Sequence, residues 1–131
     1  MSPVRHPVSG VALSFALETE LETVRRELAH AAGRVARTLV KEGPLRLTLV
    51  GMGPGGHLRP HQAAGPIAVQ VLEGAVEFEA EGRTWPLAAG ALLVLDAGVT
   101  HEVRSAEGGF FLLTVVAPAS EGAGSASPAA P

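Results

Sequence analysis

Leu17, Leu21, Val24 and Leu28 recur at three- and four-residue spacing with Glu and Arg on the opposite face, which predicts an amphipathic helix over residues 19–32. Thr19 and Glu22 fit a capping box at its start, and Gly33 is a natural stop. At Arg34 the period changes to two, with Val35, Arg37 and Leu39 on one side and Ala36, Thr38 and Val40 on the other, so a strand follows. Glu42-Gly43-Pro44 makes a turn. Short apolar segments then run from Leu45 to Met52, Ile67 to Leu72, Ala75 to Ala80, Arg83 to Leu87, Ala91 to Leu95, His101 to Ser105 and Phe110 to Val116. Their Gly-rich connectors, Glu73-Gly74, Glu81-Gly82, Ala89-Gly90 and Gly108-Gly109, are hairpin signals. Many short strands with turns between them predict an all-β barrel or sandwich behind one N-terminal α-helix.

The pattern divides the chain into a leader over 1–16, one domain over 17–117 with its barrel from 34 to 117, and a tail over 118–131. The tail, PASEGAGSASPAAP, has nothing to bury and is expected to be disordered. A chain of 131 residues has room for one core. With 10 Lys and Arg against 13 Asp and Glu there is no basic cluster for a phosphate backbone, so nucleic acid is not an expected partner. No apolar run reaches the roughly 18 residues of a membrane span, and the leader lacks a signal peptide's apolar stretch, so a soluble cytoplasmic protein is expected. The absence of cysteine removes disulfides, thiolate ligands and cysteine nucleophiles, leaving His, Asp and Glu for any metal.

The segment from Gly55 to Gly74 resembles the first motif of the cupins, G-x5-H-x-H-x3-E-x6-G, with Gly55, His61 and Gly74 in register. The second motif, G-x5-P-x-G-x2-H-x3-N, is matched by Gly90, Gly98 and His101, with Asp96 at the proline position and Ser105 at the asparagine position. The resemblance covers roughly Leu45 to Val116 and implies a cupin-type jelly-roll β-barrel. Read from the residues themselves, Gly74 supplies the positive φ of a tight hairpin, and Asp96-Ala97-Gly98 is a turn that aims His101 into the barrel mouth.

Metal-using cupins hold their ion through two histidines and a glutamate of the first motif and the histidine of the second. Here His61 and His101 are kept, while Ala63 stands at the second histidine and Ile67 at the glutamate, and neither donates an electron pair. His57, four residues before His61 in a Gly- and Pro-rich loop, is the candidate replacement. In an extended strand the two Cα atoms lie about 13 Å apart, so the loop must fold back for both rings to reach an ion. The candidate metal ligands are therefore His57, His61 and His101, and three imidazoles suit Zn, Cu, Ni, Co or Fe(II) better than Mg or Ca. The opposing reading makes His57 a solvated loop residue and the other two relics in a metal-free pocket.

Arg59 is the nearest cation to this site, and Ile67, Val69, Val71 and Phe78 are the expected lining of a substrate pocket. Glu77 and Glu79 alternate with Val76 and Phe78 and belong on the outer face, as does Gln70. His6 and His30 are expected at the surface. Three functions follow: a metal-dependent oxygenase, isomerase or lyase on a small organic molecule, a metal-free module that binds or senses a small molecule, or a mainly structural protein. The resemblance also implies a homodimer formed through a barrel edge or the N-terminal strand.

Overall fold

A computed structural model describes residues 12–118. One helix, α1 (Leu17–Leu28), precedes eight strands: β1 (Arg34–Glu42), β2 (Leu45–Met52), β3 (Gly56–His61), β4 (Ile67–Ala80), β5 (Arg83–Ala88), β6 (Leu92–Leu95), β7 (His101–Ser105) and β8 (Gly109–Val116). The architecture is the expected all-β barrel with one helix. The expected disordered tail over 118–131 lies outside the described residues apart from Pro118, as does His6.

The helix differs from the expectation at both ends. It begins at Leu17 with Ala16 as N-cap and no side-chain cap, so the Thr19–Glu22 box is not used. Thr19 lies inside the first turn instead, where its carbonyl accepts from Thr23 Oγ1 at 3.3 Å. The helix stops at Leu28 because the next amides, His30 and Ala31, bond three residues back to Glu27 and Leu28 and tighten the last turn. Gly33, with φ +92°, then turns the chain into β1.

β4 is the hub. Its first half lies between β8 and β6, completing a sheet of order β1-β2-β8-β4-β6, and its second half lies between β5 and β7, completing β5-β4-β7-β3. Every pairing is antiparallel. The sequence pattern reads β4 as two strands with a hairpin at Gly74. Gly74 does have positive φ, +70°, but the chain passes through it without reversing. A register shift between Val71 and Glu73 bends the strand, and that bend carries one continuous strand from one sheet into the other.

Between the sheets lies the main core, built on Val69, Val71, Val76, Phe78, Val103 and Phe111, each at most 2% exposed. A second core fills the space between α1 and the outer face of the first sheet, where Leu21 and Val24 meet Leu39, Val40 and Leu49. β8 therefore needs apolar residues on both faces: Phe111 and Leu113 point into the barrel and Phe110 and Leu112 toward the helix. Arg25 fastens the helix, its Nη2 donating to both carboxylate oxygens of Glu73 at 2.8 and 3.0 Å while its guanidinium lies 5.3 Å from the Phe110 ring centre. No helix among the described residues is long and apolar enough to cross a membrane.

Candidate functional site

The site is made by the junction of β3 and β7. The Gly53-Pro54-Gly55 turn ends β2, and the segment expected to be a loop continues as β3, paired with β7 from Gly56↔Ser105 to His61↔His101. The register shifts between Leu58 and His61, so Arg59 and Pro60 form an irregularity. Proline suits it, having no N–H to give to a ladder. The shift decides which side chains face inward. In an uninterrupted strand residues 57 and 61 share a face; here the extra residue inverts the alternation, and Leu58 and His61 both line the barrel interior.

His57 is left on the other face. Its side chain is 45% exposed and its Nε2 lies 2.9 Å from Glu102 Oε2. Arg104 joins the same carboxylate at 2.6 Å and reaches Glu79 at 3.1 Å, making an ion network on the outside of the second sheet. The structure brings His61 and His101 together and does not bring His57 to them. Among the described residues no group of three His, Cys, Asp or Glu side chains is placed to hold a metal ion.

His61 and His101 are direct cross-strand partners, with ring centres 4.4 Å apart and planes at 61°. Nδ1 of His61 lies 2.7 Å from the Arg59 carbonyl oxygen, and Nδ1 of His101 lies 2.9 Å from that of Val99. A carbonyl only accepts, so each Nδ1 donates, and the neutral rings keep their lone pairs on Nε2. The Asp96-Ala97-Gly98 turn produces this placement at His101: Gly98 has φ +77°, and the Asp96 carboxylate accepts from the amide of Ala97 at 2.8 Å. Behind His101 the Phe78 ring stacks at 5.9 Å and 24°, and Phe78 meets the edge of Phe111 at 5.8 Å. Burial pushes the His101 imidazole below its ordinary pKa, the hydrogen bond to Val99 opposes that shift, and neighbouring His61 adds to it.

The pocket around the two rings is walled by Leu58, Ala63, Ile67, Phe78, Val103, Phe111, Leu113 and Val115 and has a free volume of about 10 Å³. That is room for about one water molecule. Of the expected lining, Ile67 and Phe78 are in the wall. Val69 and Val71 are buried in the core away from it, and Arg59 is an exposed side chain whose carbonyl, not its guanidinium, serves the site. Ser105, at the asparagine position of the second motif, has a structural task. It is 2% exposed, donates to the Ala75 carbonyl at 2.6 Å and accepts from Gly108 N at 2.9 Å, tying the β7–β8 turn to β4.

A larger hollow of about 560 Å³ lies at the outer face of the second sheet, bordered by His57, Glu77, Pro86, Arg104 and Glu107. Its His57 and Arg104 side chains are already committed to Glu79 and Glu102, whereas the histidine pair presents uncommitted lone pairs in apolar surroundings. The pair is the stronger candidate.

The family model of the cupin domain matches residues 39–116, well over half the chain. The chain is a cupin. The cupin is similar to a conserved protein of unknown function from Streptococcus pyogenes, at 30% identity and TM-score 0.62 over 65% of this chain and 75% of that one. It is also similar to a cupin 2 conserved barrel domain protein from Leptotrichia buccalis, at 31% identity and TM-score 0.61 over 63% of this chain and 40% of that one. Salicylate 1,2-dioxygenase from Pseudoaminobacter salicylatoxidans shares the fold alone, at TM-score 0.70 and 18% identity over 78% of this cupin and 32% of the enzyme. No curated protein matches the sequence.

Proposed function

We propose that this cupin is a small-molecule binding module whose ligand is held at the His61–His101 pair. The observation that carries the reading is the make-up of the pocket. The two positions where the family's remaining ligands fall are Ala63 and Ile67, 7% and 4% exposed and part of its apolar wall. Two imidazoles are one donor short of the three protein ligands that a catalytic zinc keeps, and no carboxylate lines the pocket. The donor set therefore does not fit the four-ligand metal of the family. What it does fit is recognition: an apolar enclosure with two fixed acceptors, which orients a ligand by a few polar contacts. With room for about one atom, the pocket takes a head group, and the body of the ligand lies at the mouth beside half-buried His61.

One observation favours a second reading. Both Nδ1–H groups are tied to backbone carbonyls, the way metal-ligating imidazoles are oriented, and a Zn, Cu, Ni, Co or Fe(II) ion on two nitrogens would keep its other positions open. Calorimetric titration of untagged protein with each divalent ion at neutral pH separates the two. The binding-module reading expects no ion bound more tightly than millimolar. Micromolar binding that disappears in both His61→Ala and His101→Ala would replace it with a two-histidine metal centre.

A further inference from the structure

We infer that the head group read by this pocket is an uncharged –NH2, as in a primary carboxamide. The inference rests on the binding-module reading and names its ligand class. Arg59 and Val99 carbonyls fix the hydrogen of each neutral ring on Nδ1, at 2.7 and 2.9 Å, so both Nε2 atoms are acceptors. Neither Nε2 has a hydrogen-bond partner among the described residues. The wall cannot provide one: Leu58, Ala63, Ile67, Phe78, Val103 and Phe111 carry no side-chain donor.

The acceptors of buried His101 and half-buried His61, on rings whose centres lie 4.4 Å apart, are thus left for whatever occupies the space of about 10 Å³ that both rings line. A single atom satisfies both only if it carries two hydrogens. Water does so, and so does the nitrogen of an –NH2 group. A hydroxyl brings one hydrogen and leaves the second acceptor unmatched. A carboxylate brings none and sets its lone pairs against two others. An ammonium has the hydrogens, but it would shed its hydration into an apolar wall that holds no counter-charge. The carboxamide nitrogen is neutral at every ordinary pH and displaces the water on equal hydrogen-bonding terms, while the attached apolar body gains burial.

The test uses full-length, untagged, 15N-labelled protein and three probes of one carbon chain length: propionamide, propionate and propanol. Long-range 1H–15N spectra of the unliganded protein at pH 7.5 first report the tautomer. Hydrogen on Nδ1 of both His61 and His101 is expected, and an Nε2–H signal from either ring overturns the inference without any variant. On titration, propionamide is expected to move the Nε2 resonances of both rings and to bind at least about tenfold more tightly than propanol or propionate, the value of one hydrogen bond. The preference is expected to vanish in His61→Leu and in His101→Leu. Equal or tighter binding of propionate or propanol at the same two rings overturns the –NH2 assignment and leaves the binding module standing. If none of the three moves either ring while Zn2+ does, the inference falls together with the reading beneath it.

Discussion

The imidazoles of His61 and His101 meet edge to face at 4.4 Å because the two residues are cross-strand partners, and the backbone carbonyl two residues before each ring fixes its orientation. The pairing has a cost that depends on pH. His101 is 5% exposed, and its pKa is lowered chiefly by burial, with neighbouring His61 lowering it further against the opposing bond to Val99. The unfolded chain therefore takes up this proton first as pH falls below the ordinary value of 6.5. Protons bound more readily by the unfolded state reduce stability, so full stability is present above 6.5 and is lost as pH falls toward the lowered pKa. Thermal unfolding between pH 7.5 and 5 should show this slope, and His101→Gln should flatten it. An equal slope in the variant would assign the effect to other groups.

Gly74 is predicted to be irreplaceable by alanine. Its φ is +70°, and an added Cβ would press on the Gly108 carbonyl and stand 2.8 Å from the Gly109 Cα, both of them backbone. Nothing there can swing aside. The variant should lose at least about 2 kcal/mol in chemical denaturation, combining left-handed strain with a steric clash. Gly82→Ala is the control: it has φ +75° but nothing within 4 Å of the added atom, so it isolates the conformational part. Equal losses at the two sites would show that the close approach at Gly74 carries no weight.

The same glycine shows how far the sequence could be read. Alternation in β1, and apolar runs bounded by turn residues elsewhere, located β1, β2 and β5 to β8 within a residue or two, because Gly and Pro mark where those strands end. Gly74 looked like a hairpin because positive φ is written in the residue type, whereas passing from one sheet to another is a property of the neighbours that β4 acquires on folding. β3 looked like a loop because Gly55, Gly56 and Pro60 are poor strand formers, and its pairing with β7 overrides that preference. At the site, His61 and His101 were legible from motif spacing. The placement of His57 was not, since it depends on a register shift at Arg59–Pro60 that no periodicity announces. The carbonyls of Arg59 and Val99, which set the chemistry of both rings, carry no side-chain signature at all.

Phe111 supports the pocket from below and is predicted to be costly to truncate. It is 1% exposed, meets the Phe78 ring edge-on and lines the cavity. Phe111→Ala should cost about 3–5 kcal/mol. Leu92 is as apolar but 64% exposed on β6, and Leu92→Ala should stay within about 0.5 kcal/mol. Urea denaturation of both variants checks the contrast; comparable losses would mean that the outer face around Leu92 is covered in solution.

Returning the two missing donors to the pocket is predicted to create a metal site that the parent lacks. Ala63→His combined with Ile67→Glu returns the two missing donors to the wall that already holds His61 and His101. Without metal the double variant should be less stable than the parent by a few kcal/mol (about 1–3 for each buried polar group left unmatched), because the new side chains enter an apolar space of about 10 Å³. With Zn2+ or Co2+ much of that loss should be recovered. A ligand bound only by the folded state adds about 2.7 kcal/mol at a hundredfold excess over its dissociation constant, and a chelator should remove that gain. The parent, with two donors, should show no such gain at the same ion concentration. Thermal unfolding of both proteins with and without the ion decides it. If the parent gains as much as the double variant, two imidazoles suffice and the metal centre is the correct account of this barrel; if the double variant alone gains, Ala63 and Ile67 are the residues that keep the ion out.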